Sequence, residues 1–446
     1  MLDPVVEQRT PVRAWVVVFA GTAINLCLGI LYAWSIWKSN LIGTVQHPAG
    51  TAMGGLNEGW VYLTDAQATW AYAICGITFA IFMIPGGLLQ DKLGPKLGAT
   101  LGGVFLGGGC ILAGLGRSYL TLVAGFGVLG GIGMGLGYAA ATPAAVKWFG
   151  PHRRGLVAGL VVGGYGAAAI YISPAARFLI ASYGISGSFI GLGIFFAIAI
   201  VAAAQLLATP ASDYRPSTYG ASRAKAPAAG ISISQEQMSA KSILGTWQFY
   251  AMLFLFIASA QSGLLVIANA APILNQTAQG VGFLAENAWL LASFGGFVNA
   301  TGRVGTGVYS DKIGRRNAYL INGFAAVLCL LLTPAVMRAG SVPLLFLVVG
   351  VAYWQYGGGL ALMPAMTADF FGTNNLGIKY GLVFLGWGIA FLVPQLAGYV
   401  RDVTGTLDYA FYLSGLLLLL AVIFSRAVRR PQAPDLIATQ LLPSKS

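Results

Sequence analysis

Charged residues are scarce in this chain of 446 residues. They make up 9% of the composition, while 57% of the residues are hydrophobic. A soluble domain carries roughly 25% charged residues, and so small a number cannot cover a surface that faces water. The shortage excludes an ordinary cytosolic enzyme and a secreted disulfide scaffold, and it indicates an integral membrane protein with several spans.

Residue types that build catalytic or metal sites are rare as well. The chain has two histidines and four cysteines, with no CxxC pair and no metal-ligand spacing, so we expect no metal, no cofactor and no enzyme activity. A phosphate-binding loop of the P-loop type is missing, which excludes direct use of ATP. The net charge of +12 fits the cytoplasmic basic residues of membrane proteins. Since no basic run is interleaved with stacking aromatics, nucleic acid is not an expected partner.

Apolar stretches of the length that a bilayer requires, about 20 residues, occur twelve times. They predict an all-α integral membrane protein with spans 1 to 12 at residues 13–38, 66–90, 97–116, 119–147, 155–180, 185–209, 246–274, 286–310, 317–338, 341–368, 379–401 and 406–428.

One long polar connection divides these spans into six and six. Residues 210–245 contain Pro210, Pro216 and Pro227 among serines and alanines, a composition typical of a flexible linker. We therefore predict an N-terminal six-helix bundle at 1–209, a cytoplasmic linker loop at 210–245, and a C-terminal six-helix bundle with a cytoplasmic tail at 246–446.

The distribution of lysine and arginine predicts the orientation. Nineteen of the 25 fall on one side of the predicted topology and five on the other. The positive-inside rule places both termini in the cytoplasm of a multi-pass cell (inner) membrane protein. The remaining basic residue, Arg303, lies inside a span.

The two halves resemble each other. Asp91–Lys96 (DKLGPK) follows span 2, and Asp311–Arg316 (DKIGRR) follows span 8, 220 residues later. A second pair of similar segments begins at Pro143 and Pro364, at nearly the same offset. Matches at one offset indicate a duplicated six-helix unit, with a substrate site near the membrane midplane between the halves.

Twelve spans in two halves, with D-K-x-G-x-[KR] after spans 2 and 8, resemble the major facilitator superfamily. The resemblance implies alternating access by rocking of the two halves. It also implies a gating rather than a binding role for the two motifs, at Asp91, Lys92, Gly94 and Lys96 and at Asp311, Lys312, Gly314, Arg315 and Arg316.

Arg303 is the leading candidate for substrate binding. It lies eight residues before Asp311, roughly 12 Å from the helix end at about 1.5 Å per residue, where a charge is costly. None of the 13 acids falls in the middle third of a predicted span, so we expect the substrate to supply the anion, bound in a bidentate fork. Backbone carbonyls are the alternative partners. Asn299, one turn earlier on the same face, either orients the guanidinium, binds substrate or packs between helices.

The segment Gly302–Arg316 (GRVGTGVYSDKIGRR), together with Lys147-Trp148-Phe149 and Arg153-Arg154, resembles the oxalate:formate antiporter family and the mammalian monocarboxylate transporters. The resemblance identifies Arg303 with the intramembrane arginine of the antiporters. Their second cation, a lysine in span 11, corresponds to Trp387 here. Since one buried cation balances one carboxylate, the sequence favours a monocarboxylate over oxalate.

Aromatic side chains are expected to enclose this substrate. In the antiporter family aromatic residues occupy many of the same places, and Leu31 stands where that family often has a polar residue. The candidate lining residues are Leu31, Tyr32, Trp34, Tyr138, Tyr165, Tyr356, Phe384 and Trp387. Ordinary packing is the alternative for each ring.

The coupling mode stays open in the sequence. The mammalian relatives have an aspartate where Asn299 stands, and Asp65 and Glu286 lie near external ends, where they can shuttle protons only peripherally. Lys38, also external, either attracts anions or snorkels to the interface.

We predict a monomeric secondary transporter of a small monocarboxylate anion, of the L-lactate or pyruvate type, coupled to protons by symport in the lipid bilayer. The alternatives are an oxalate:formate-type exchanger and a sensor that does not transport.

Overall fold

The structure, a computed structural model, describes residues 11–149, 151–211, 214, 238–279, 282–371 and 376–431. Within its helices the side chains of residues 91, 151–155, 240, 285–286, 311 and 376–377 are not described. Throughout these residues the fold is helical, and two isolated β-bridges, Ile42 with Leu63 and Ala52 with Val61, lie in the loop that follows the first span. The predicted all-α class is confirmed.

Helices α1 to α12 correspond to spans 1 to 12. In the N-terminal half, α1 is Val12–Leu41, with a 3-10 segment at Gly29–Ala33. The next three helices are α2, Asp65–Leu93, α3, Pro95–Gly116, and α4, Tyr119–Val146. Helices α5 (151–183) and α6 (185–206) form the segment Pro151–Leu206, which Gly184 interrupts with φ of 72°.

The C-terminal half repeats this pattern. Its helices are α7, Trp247–Thr277, α8, Trp289–Ile313, α9, Arg315–Arg338, α10, Val342–Phe371, α11, in the two pieces Leu376–Ile389 and Leu392–Thr404, and α12, Asp408–Phe424.

The helices account for all twelve predicted spans. Among the described residues, nine helices are long and apolar enough to cross a membrane. One of the nine, Leu156–Leu206, contains two crossings because of the break at Gly184. Helix α8, which carries Arg303, and the shorter α12 complete the set. The linker predicted at 210–245 lies mostly outside the described residues, so the division at that point stays a prediction.

The two motif turns have the same backbone geometry. Gly94 between α2 and α3 has φ of 86°, and Gly314 between α8 and α9 has φ of 88°, a region that glycine enters without steric cost. The side chains of Asp91 and Asp311 lie outside the described residues, so the gating role stays a prediction. The described cations Lys92, Lys96, Lys312 and Arg316 are exposed, and Arg315 donates to Ser310.

Glycine ladders bring helices together in the N-terminal half. A Cβ on Gly131 or Gly135 of α4 would lie 2.6 Å from the Cys75 carbonyl oxygen or 2.8 Å from that of Phe79, both on α2. Gly131 and Gly135 thus hold α4 directly against α2, as small residues spaced by four predict. Gly159 and Gly163, spaced by four on α5, do not pack in this way, since a Cβ on either would meet nothing within 4 Å.

Two glycines of α3 provide a matched test of this packing. A Cβ on Gly102 would lie 2.8 Å from the backbone nitrogen of Gly137, whereas one on Gly108 meets nothing within 4 Å. We expect Gly102→Ala to cost about 1–3 kcal/mol through overpacking and to lower the unfolding temperature of the purified protein, and Gly108→Ala to leave it unchanged. Equal unfolding temperatures for the two variants would contradict the crossing of α3 and α4.

Candidate binding site between the two halves

Arg303 lies on α8 between the two halves and is 4% exposed. Its Nε donates to Oδ1 of Asn299 at 3.2 Å, one Nη to the Val162 carbonyl oxygen at 3.2 Å, and the other Nη to the Tyr32 hydroxyl at 3.0 Å. Val162 and Tyr32 belong to the N-terminal half. The guanidinium therefore joins the two halves by hydrogen bonds.

The partners of Arg303 are all neutral. Within the described part of the chain, no carboxylate forms an ion pair with it. Hydrogen bonds to an amide, a carbonyl and a hydroxyl stabilise a buried cation but leave its charge uncompensated. The sequence left two kinds of partner open for Arg303, backbone carbonyls and a substrate anion. A backbone carbonyl does contact Arg303, and no described carboxylate balances its charge.

A chain of hydroxyl contacts continues from Arg303 into the C-terminal half. The hydroxyls of Tyr32 and Tyr356 are 2.8 Å apart, and Nε1 of Trp387 donates to the Tyr356 hydroxyl at 2.9 Å. The rings of Tyr138 and Tyr380 lie in the same region, with centroids 5.5 Å from Phe79 and 5.6 Å from Phe384, respectively. Hydroxyls from both halves therefore surround the buried charge.

Aromatic rings from both halves enclose this group, with Phe79 of α2 at their centre. The Phe79 ring centroid lies 5.5 Å from Tyr138 and 5.8 Å from Tyr165 in the N-terminal half. In the C-terminal half it lies 5.8 Å from Phe384 and 5.0 Å from Trp387. Rings at these separations are in contact, so aromatic side chains of both halves pack around the Arg303 group.

Most of the residues singled out from the sequence meet here. Eight of them take part in the contacts around Arg303, directly or through ring packing: Asn299, Arg303, Tyr32, Tyr138, Tyr165, Tyr356, Phe384 and Trp387. Trp34 packs elsewhere, stacked on Phe126 at 4.7 Å, because residues two apart on a helix do not share a face. Leu31 is fully buried beside Tyr32.

Three contributors were missed from the sequence. Phe79 belongs to an apolar span with no charged residue nearby to mark it. Val162 acts through its backbone carbonyl, which no side-chain pattern reveals. Tyr380 lies one turn before Phe384 on α11, so its place on the same helix face was the available signal.

The arrangement provides hydrogen-bond donors for an anion. Besides the guanidinium, Nδ2 of Asn299 is buried and has no partner among the described residues. A carboxylate that displaces Val162 and Tyr32 from Arg303 receives two guanidinium N–H groups in a fork. The Asn299 amide and the tyrosine hydroxyls are additional donors. Such donors are chemically suited to a carboxylate, and among the described residues there are no paired acid and base groups for catalysis.

The chain matches the family model of the Major Facilitator Superfamily over residues 14–354. It belongs to this superfamily. Its relatives include the oxalate:formate antiporter of Oxalobacter formigenes, 24% identical with 91% of this chain and 94% of the relative covered. Monocarboxylate transporter 12 of Xenopus laevis is 29% identical, with coverages of 82% and 83%.

A solved structure shares the fold. The xylose transporter XylE of E. coli, in a partially occluded inward-open conformation, superposes with a TM-score of 0.65 at 16% identity, covering 95% of this chain and 99% of the other. The protein is therefore a multi-pass membrane transporter of the twelve-helix type and not an enzyme.

The hydroxyl of Tyr32 provides a test of the site. We expect Tyr32→Phe to weaken binding of L-lactate about tenfold, or ~1.4 kcal/mol, because the hydroxyl beside the guanidinium is lost. Binding is measured by tryptophan fluorescence of the purified protein. The matched control is Tyr319→Phe, whose buried hydroxyl donates to the Leu255 carbonyl oxygen at 2.9 Å. A similar loss in both variants would show that Tyr32 has no specific role.

Proposed function

We propose that this protein transports a small monocarboxylate of the L-lactate or pyruvate type by alternating access, coupled to protons by symport. It acts in the cell membrane as a monomer with both termini in the cytoplasm. The observation that carries the proposal is Arg303, a buried cation between the two halves whose described partners are all neutral. Its missing counter-ion is the carboxylate of the substrate.

Charge balance favours one carboxylate over two. Trp387, at the position of the antiporters' second cation, is bonded to Tyr356 and lies against Phe79. Lys379, eight residues earlier on α11, donates to the Phe371 carbonyl oxygen at 2.6 Å and does not replace that cation. A dianion such as oxalate would bring a second charge into a low-dielectric enclosure without a second cation to balance it.

The names of the relatives support the substrate class more broadly. One relative is an antiporter of oxalate and formate and another is a monocarboxylate transporter, so small organic anions are common to both. Proton coupling is our proposal for this chain. Asn299 cannot titrate, so position 299 does not supply the proton-carrying group.

Uptake of labelled L-lactate into proteoliposomes tests the proposal. With an inward proton gradient we expect wild-type uptake to exceed uptake without the gradient. We expect Arg303→Lys to lose at least about tenfold of that uptake, since an ammonium cannot form the planar fork. The matched control is Arg338→Lys, at an exposed arginine that pairs with Asp408 at 2.9 Å far from the site. It should retain wild-type uptake.

The remaining outcomes separate the alternatives. Uptake that requires preloaded formate or oxalate would establish the exchanger and refute symport. Absence of lactate flux under every loading would refute the monocarboxylate proposal, and lactate binding without flux would indicate a sensor.

A further inference from the structure

A cluster of four charges, two of them buried, lies at the external end of the molecule, away from Arg303. The expectation that Lys38 attracts anions at the surface or snorkels to the interface is wrong, because its side chain is fully buried. Its Nζ donates to Oδ1 of Asp65 at 2.7 Å and to Oδ1 of Asn269 at 2.6 Å. Asp65 is 5% exposed.

Helix α11 contributes two more charges to this cluster. Arg401 donates to the second carboxylate oxygen of Asp65 at 2.7 Å. Asp402 accepts hydrogen bonds from the backbone nitrogens of Asp65 at 3.0 Å and Ala66 at 2.9 Å, in the first turn of α2. A carboxylate at a helix N-terminus satisfies free N–H groups and stabilises the helix dipole. Here that carboxylate comes from the other half of the molecule.

The cluster connects the halves and is electrically balanced. Lys38 and Asp65 belong to α1 and α2, while Asn269, Arg401 and Asp402 belong to α7 and α11. Lys38 and Arg401 both pair with Asp65, and Asp402 supplies a second negative charge, so the four charges sum to zero. Lys38 and Asp65 are buried, whereas Arg401 is 28% exposed and Asp402 is exposed. Separating such a group without water leaves uncompensated buried charges, which is strongly unfavourable.

Small residues bring α2 and α11 close enough for these contacts. A Cβ on Gly398 would lie 2.9 Å from Oδ1 of Asp65, so the carboxylate fits because α11 has no side chain there. Deeper in the membrane, the Phe391 ring lies against Gly76, and Gly388 lies against Ala80. The contact between the two helices thus continues from the charged cluster to the Phe79 enclosure.

We propose that Lys38, Asp65 and Arg401, with Asn269 and Asp402, form the external gate of the transporter. The charges of the gate sum to zero and hold the two halves together. Their contacts must break in each cycle before the Arg303 site opens outwards. Opening returns the buried charges of Lys38 and Asp65 to water, which offsets the loss of their mutual attraction. The inference rests on the transporter fold and not on the identity of the transported anion.

A distance measurement on the full-length protein in nanodiscs tests the gate. The four native cysteines are replaced by alanine, and spin labels are attached at Tyr183→Cys in the N-terminal half and Tyr409→Cys in the C-terminal half. Both positions are exposed, at 61% and 57%. An asparagine at position 65 cannot pair with two cations. In Asp65→Asn we therefore expect the ratio of molecules with separated external ends to molecules with closed external ends to rise by roughly tenfold or more.

The matched control removes a carboxylate that does not join the halves. Asp408 pairs with Arg338 within the C-terminal half at the same end of the molecule, and we expect Asp408→Asn to keep the wild-type distance distribution. Arg401→Gln is the second gate variant. Because it leaves Lys38 paired with Asp65, it keeps the test possible if Asp65→Asn fails to fold. We expect it to shift the distance distribution in the same direction as Asp65→Asn.

Two results would overturn the gate. One is a wild-type distance distribution in folded Asp65→Asn or Arg401→Gln. The other is an equal shift in the Asp408→Asn control. The measurement needs no substrate, so a failure of the lactate proposal leaves it unaffected, and an intact lactate transporter with unchanged distances would refute the gate alone.

Discussion

The rest of the structure depends on one buried positive charge, that of Arg303, which no described carboxylate neutralises. A guanidinium inside a membrane protein is costly unless it meets an anion or water. Arg303 is stabilised by an amide, a carbonyl and a hydroxyl, and two of these groups come from the opposite half. The need for a counter-ion thus falls at the interface that must open and close during transport.

The contacts between the halves form two levels with different chemistry. At the central level, Arg303 is bonded to Val162 and Tyr32, and Tyr32 in turn to Tyr356, through neutral groups that an arriving carboxylate can replace one for one. At the level proposed as external, Asp65 lies between Lys38 and Arg401 in a cluster with no net charge. A monovalent anion cannot replace the contacts of this cluster. In the proposed mechanism, the substrate replaces the partners of Arg303 at the central level. The ion pairs of Asp65 at the external level break and form again as the halves rock.

Local features of the sequence predicted much of the fold. The twelve spans follow from the length of the apolar runs, and the turns at Gly94 and Gly314 follow from a motif that needs a positive φ. The depth of Arg303 follows from simple counting along α8. Each of these depends on residues that are close in the chain, which is why hydropathy and spacing were sufficient.

Contacts between distant segments could not be read in the same way. Lys38 and Asn269 are 231 positions apart, and the burial of Lys38 depends on how α1, α2, α7 and α11 meet. Phe79 lies at the centre of the aromatic enclosure because Gly135 brings α4 against α2, a consequence of packing and not of its own sequence context. For such residues sequence alone gave the depth in the membrane but not the partner.

The most direct test of the account is a structure of the protein with L-lactate bound. We expect the carboxylate to lie in a fork on the two Nη atoms of Arg303, in place of the Val162 carbonyl and the Tyr32 hydroxyl, and within reach of Nδ2 of Asn299. A lactate bound elsewhere, with Arg303 still holding Val162 and Tyr32, would contradict it.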